Sequence, residues 1–188
     1  MKKKNLMYIL VLVSALLFIG SCSKTDDTAL SGDRGESVAW MNFNEGYKKA
    51  LAEKKPMVID FYADWCKWCK VMDTETFSDG EVAKKLKNDY VAIRIHTDTQ
   101  AHERLKFNNH EFSVQEFSSM MGVQGLPTVV FMDRTGKPIT QIPGFLKKDV
   151  FLPLLNYITE ECYNRNVPFE SYMKDDKACQ KIKSSGTP

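Results

Sequence analysis

The sequence predicts an α/β domain with a central sheet of mixed direction flanked by helices. Three observations carry that prediction. Met57-Val58-Ile59-Asp60-Phe61-Tyr62 is a nearly continuous apolar run of strand length, the pattern of a strand covered on both faces. Segments with helical spacing of apolar residues alternate with such runs along the chain. The alternation closes in two strands joined by the turn-forming stretch Asp133-Arg134-Thr135-Gly136-Lys137.

Taken in order, the short apolar stretch Val38 to Phe43 comes first. Asn44 then reads as the N-cap of a helix from Glu45 to Lys55, which Pro56 ends. After the strand Met57 to Tyr62, Trp65-Cys66-Lys67-Trp68-Cys69 opens a helical pattern that continues to Phe77, so the C-x-x-C stands at a strand-to-helix junction. Asp79 to Asn88 is a further helical segment, with Val82, Ala83 and Leu86 on one face and Lys84, Lys85 and Lys87 on a solvated one. Tyr90 to Ile95 is strand-like. His96 to Phe112 is polar and long enough to be an excursion rather than a tight connection. Ser113-Val114-Gln115-Glu116 is a capping box opening a short helix that closes near Gly122. The strands Thr128 to Met132 and Pro138 to Ile142 flank the hairpin turn. Lys147 to Glu161 is the last helix, with Pro153 breaking it or marking its entry. The chain has no internal repeat.

Charge and composition exclude one class of function. Among 188 residues the formal charge is +2, and it becomes −1 once Lys2, Lys3 and Lys4 of the leader are set aside. A near-neutral chain lacks the basic surplus of a nucleic-acid groove. The leader itself reads as a secretion signal. The lysines precede a hydrophobic stretch from Leu6 to Ile19, too short for a spanning helix, and small residues follow. Ile19-Gly20-Ser21-Cys22 resembles the lipobox of bacterial lipoproteins, which implies an acylated Cys22 at the mature N-terminus and a chain held on a lipid membrane. Ordinary cleavage nearby would instead leave Cys22 as a free thiol. Ser23 to Glu36 is too polar to build a core and reads as a tether. The expected organisation is therefore a signal peptide at 1–21, a lipidated tether at 22–36, a folded domain at 37–161 and a C-terminal tail at 162–188.

The five cysteines divide without remainder: Cys22 at the lipobox, Cys66 with Cys69, and Cys162 with Cys179, the last pair expected as a structural disulfide pinning the tail. Cys66 falls at the N-terminal end of a helix, where unpaired backbone N–H groups and the helix dipole favour a thiolate. It is the expected nucleophile. Cys69, nearly one turn on, can resolve a mixed disulfide from within the same molecule. A zinc site is not expected, because no second C-x-x-C or H-x-x-x-H accompanies the pair. No cofactor beyond a redox-active Cys66–Cys69 disulfide is called for.

Asp60-Phe61-Tyr62-Ala63-Asp64-Trp65-Cys66-Lys67-Trp68-Cys69-Lys70, with Gly125-Leu126-Pro127-Thr128 further on, resembles the thioredoxin superfamily. The continuation Asp73-Thr74-Glu75-Thr76-Phe77-Ser78-Asp79 is similar to the reductant-relay C-terminal domain of transmembrane thiol:disulfide interchange proteins. The resemblance spans about Trp40 to Ile158 and implies a thioredoxin fold. It implies that Asp60, an acid in an apolar strand, lies beneath Cys69 and takes its proton; an edge position facing water is the plainer reading. It also implies that Pro127 is cis and that Leu126 offers its backbone to an extended substrate. Asp73 resembles an assisting acid of the relay domains, and an exposed helix carboxylate explains it equally. Trp68 is expected to form an apolar landing surface for substrates, and Trp65 to pack. His96, His102 and His110 are expected at the surface, and Met72, Met120 and Met121 in the core.

Two functions follow. The first is a membrane-tethered thiol:disulfide oxidoreductase of the bacterial periplasm, anchored to the inner or outer membrane. It would act as a reductase on the disulfides of exported proteins and draw electrons from an upstream membrane thiol:disulfide donor. The second is a binding module in which the same dithiol carries Cu(I).

Overall fold

Strand β1 (Met57–Tyr62) is buried from Met57 through Phe61, as its apolar run predicts. It pairs parallel with β2 (Val91–His96) and antiparallel with β5 (Thr128–Met132), which pairs antiparallel with β6 (Pro138–Pro143). The sheet order is β2-β1-β5-β6, a mixed sheet as expected. This computed structural model describes residues 37–98 and 103–184, so the leader, Cys22, the tether and His102 lie outside the described residues.

The two-residue period of a strand divides β1 between two cores. Met57, Ile59 and Phe61 pack with Phe43 and Tyr47 of α1 (Phe43–Glu53) and with Phe117 of α4 (Val114–Met120). Val58 packs on the other side, with Leu86 of α3 (Gly80–Asp89) and with Phe151 and Leu155 of α5 (Lys148–Thr159). Asp60 shares the parity of Val58, so the strand period aims its carboxylate toward that second core rather than toward water. Between β1 and α3, the helix α2 (Lys67–Met72) runs directly into a π-helical turn at Asp73–Phe77.

Two expectations are corrected. The N-cap of α1 is Asn42, whose side chain accepts from the Glu45 N–H at 3.0 Å, and not Asn44. Asn44 instead ties α1 to a hairpin: its Nδ2 donates to the Arg104 carbonyl at 3.0 Å and its Oδ1 accepts from the Lys106 N–H at 2.7 Å. Both asparagines are competent caps, and the tertiary contact decides between them. The polar excursion holds that hairpin, β3 (Arg104–Phe107) against β4 (His110–Ser113). Its turn is Asn108-Asn109, both at positive φ, which asparagine tolerates better than most residues. Pro153 neither breaks nor enters the last helix but sits inside α5. The capping box at Ser113 forms as expected, with the Glu116 N–H donating to Ser113 Oγ and the Ser113 N–H to Glu116 Oε2.

Beyond α5 the chain makes a 3-10 turn at Cys162–Arg165, then α6 (Phe169–Lys174) and α7 (Ala178–Ser184). Cys162 and Cys179 form a disulfide with Cα atoms 5.5 Å apart. Both sulfurs are buried with Val167 and Tyr172 in the core that also holds Leu155 and Phe151. Tyr157 reinforces the join by donating to the Val167 carbonyl at 2.7 Å. The tail is thus built into the domain. Replacing Cys162 and Cys179 together by serine should lower the unfolding free energy by about 3 kcal/mol in the chain-entropy account, read by urea denaturation without reductant. An unchanged midpoint would mean that the bridge constrains nothing.

Candidate functional site

Strand β1 ends at Tyr62, and a turn closed by the Cys66 N–H on the Ala63 carbonyl at 3.1 Å delivers Cys66 to the N-cap position of α2. Its backbone is extended there, and Sγ accepts the Cys69 N–H at 3.1 Å. A sulfur in this position takes the place of a capping oxygen. The two cysteines form a disulfide with Cα atoms 5.3 Å apart. They are 4% and 3% exposed, packed with Ala63, Tyr62 and Leu126. The Leu126–Pro127 peptide bond is cis. The Gly144 N–H donates to the Pro127 carbonyl at 2.8 Å, which binds the loop after β6 to the proline loop.

Asp60 is 1% exposed, so the edge reading is excluded. Its partner is Arg94, opposite it in the β1/β2 register; both Nε and Nη2 of Arg94 lie 2.9 Å from Asp60 Oδ2. Arg94 Nη2 also donates to Oδ1 of Asp73, on the π turn. The guanidinium faces the rings of Trp40 at 4.5 Å, Tyr62 at 4.6 Å and Phe77 at 5.7 Å. Asp73 is therefore an exposed-side carboxylate tied inward through Arg94. Burial pushes the Asp60 carboxyl up to about 6 against the opposing pull of Arg94. Asp60 Oδ1 has no hydrogen-bond partner among the described residues, which leaves one oxygen of the acid uncommitted. Sequence reasoning missed Arg94. The available signal was a lone arginine in one strand-like run matching a lone acid in another.

The flanks of the disulfide also differ from expectation. Trp65 does not pack inside: it is 70% exposed, its indole N–H donating to Asp98 Oδ2 at 2.5 Å. It forms one wall of a cavity of about 350 Å³ with Thr97, Val123, Gly125 and Leu126. Trp68 is 55% exposed, as expected for a surface residue, and stacks on Phe145 with centroids 5.8 Å apart and planes 21° apart. His96 is buried at the end of β2, not at the surface. Its Nε2 lies 3.2 Å from Asp64 Oδ1, and its Nδ1 accepts the Asp98 N–H at 3.2 Å. His110 is exposed. Met72 and Met121 are core residues, but Met120 is exposed at the end of α4. The only cluster of ligand-type groups among the described residues is Glu160 with Cys162 and Cys179, at the tail disulfide and apart from the C-x-x-C.

The sequence model of the thioredoxin-like domain family matches residues 43–159. The thiol:disulfide interchange protein DsbD of Yersinia pestis (strain Pestoides F) is 31% identical over 153 residues, covering 76% of this chain and 24% of that protein. The protein of the same name from Actinobacillus pleuropneumoniae serotype 5b (strain L20) is 33% identical over 113 residues, covering 59% of this chain and 18% of its own length. The chain thus spans about a quarter or less of the length of the curated relatives it matches. Among solved structures, a thioredoxin-fold protein from Helicobacter pylori superposes with a TM-score of 0.58 at 26% identity, covering 71% of this chain and 86% of that one.

The raised Asp60 has a consequence for stability. An acid whose folded pKa lies above its unfolded value contributes stability that is complete below about pH 4 and is lost as pH rises through about 6. Asp60→Asn removes that dependence. The unfolding free energy of the variant relative to the parent should rise by on the order of 3 kcal/mol between pH 4 and pH 7, read from urea titrations of the oxidised proteins. A difference that stays flat across this range would show that ionised Asp60 costs the fold nothing.

Proposed function

The chain belongs to the thioredoxin-like family and has its fold, and on that premise we propose that it is a membrane-tethered, extracytoplasmic thiol:disulfide oxidoreductase that reduces disulfides of exported proteins. The observation that carries this reading is the position of Cys66: N-cap of α2, sulfur on the Cys69 N–H, with the cis Leu126–Pro127 loop packed against the pair. The redox group is the dithiol itself. In the reduced protein the Cys66 thiolate attacks one sulfur of a client disulfide, forming a mixed disulfide and releasing the other client sulfur as a thiolate, which takes up a proton. Cys69 then loses its proton and displaces the client from Cys66. The client leaves as a dithiol, having gained two electrons, and the Cys66–Cys69 disulfide has lost them. Asp60 serves as the base for Cys69, a role supported by its burial, its raised pKa and its uncommitted Oδ1. Leu126 supplies backbone to the client chain and Trp68 an apolar surface.

Reductase rather than oxidant is supported by Lys67 and Trp68, with no histidine, between the cysteines. An upstream membrane thiol:disulfide donor would regenerate the dithiol, and the relatives' name, thiol:disulfide interchange protein, supports exchange of this kind. The periplasmic, lipid-anchored placement on the inner or outer membrane rests on the lipobox at Cys22. Among the described residues no helix is long and apolar enough to cross a membrane.

Four measurements test this reading. Cys69→Ala should accumulate mixed disulfides with exported proteins on non-reducing gels and Cys66→Ala none, while Asp60→Asn should slow release of the client and spare the first attack. Trapping by Cys66→Ala alone would reverse the roles. A reduction potential in the range of strong oxidants would overturn the direction, and stoichiometric Cu(I) binding without turnover would overturn the enzyme reading. For attachment, the full chain should fractionate with membranes and Cys22→Ser should not. A variant that stays membrane-bound at the same mature mass would remove the lipid anchor.

A further inference from the structure

We infer that Phe145 is a positioning residue for substrate selection: it holds Trp68 as a fixed shelf beside the disulfide, and that shelf favours polypeptide disulfides over small ones. The inference rests on the exchange reaction proposed above and adds which substrates the site accepts. The two cysteines are almost covered, yet the tryptophan just before Cys66 and the one just before Cys69 both carry exposed indoles. Each indole is tied down by different means: Trp65 by its hydrogen bond to Asp98, and Trp68 by the face of Phe145. Phe145 is itself anchored, because the neighbouring Gly144 is bonded to the Pro127 carbonyl. Shelf and proline loop are therefore tied together by a backbone hydrogen bond. A half-exposed tryptophan without such support would spread over several rotamers and lose entropy whenever a client touched it; stacking removes that cost in advance.

Selection follows from reach. A polypeptide whose disulfide meets Cys66 extends to both sides, so it can lay one flank on the Trp68–Phe145 shelf and the other in the cavity between Trp65 and Leu126. A small disulfide ends before it reaches either. Contacts remote from the reacting sulfurs thus raise the specificity constant only for the long substrate. The neutral lining of the cavity, Thr97, Val123, Gly125 and Leu126 with Trp65, suits uncharged residues beside the client cysteine.

The test uses the full chain with dithiothreitol as electron source and two probes, insulin and hydroxyethyl disulfide. Phe145→Leu, which keeps apolar bulk and loses the ring face, should lower kcat/KM for insulin about tenfold, chiefly through KM, and leave hydroxyethyl disulfide within about twofold. Phe145→Tyr, which keeps the ring, should retain insulin turnover. Because Phe145 acts through Trp68, Phe145→Leu in a Trp68→Ala background should cost insulin nothing further. Equal losses on both probes, additive losses in the double variant, or unchanged insulin turnover would each overturn the inference. A parent chain inert towards both probes would instead remove the proposed function and this inference with it.

Discussion

Burying an acid in the middle of a sheet is costly, and much of the architecture around the C-x-x-C follows from how Asp60 is accommodated. Desolvation alone would leave an isolated carboxylate several kcal/mol worse off than in water. The β1/β2 register places Arg94 opposite it, and a half-buried guanidinium then needs cover of its own. That cover comes from three separate parts of the chain: Trp40 before α1, Tyr62 at the end of β1 and Phe77 at the end of the π turn. Asp73 completes the set and ties the helix that carries Cys69 to the sheet beneath it. Such a pair is weak evidence for stability, since an apolar replacement could do as well. One carboxylate oxygen of Asp60 is held by Arg94, while the other takes no hydrogen bond among the described residues.

The same economy of anchoring runs through the rim of the site. Among the described residues the segments around the disulfide are fastened: the turn before Cys66 closes on Ala63, Asp98 after β2 bonds Trp65 and His96, and the loop after β6 bonds Pro127. Groups held this way are placed before a partner arrives, so less of the binding free energy is consumed in ordering them. Helix α2 is six residues long, and its main role is to present one turn of backbone N–H groups to a sulfur rather than to span the core. The core is spanned by α1 and α5, on opposite faces of β1.

What the sequence by itself determined were the features that depend on near neighbours. The apolar run of β1, the capping box at Ser113, the turn at Asp133 and the junction that puts Cys66 at a helix start are each written within a few residues, because hydrophobic period, capping and turn chemistry act locally. The resemblance of the Cys66 and Pro127 segments to thioredoxins extended that reading to the fold. Other features depended on residues far apart in the chain. Arg94 becomes the partner of Asp60 only when two strands register. Asn42 rather than Asn44 caps α1 because a hairpin more than fifty residues on claims Asn44. Whether Trp65 is exposed, whether His96 is buried and whether Met120 joins the core depend on which surfaces remain once both faces of the sheet are covered. The tertiary structure decided these because a side chain's burial and partners are properties of the packed whole, set by long-range contacts that no local pattern encodes.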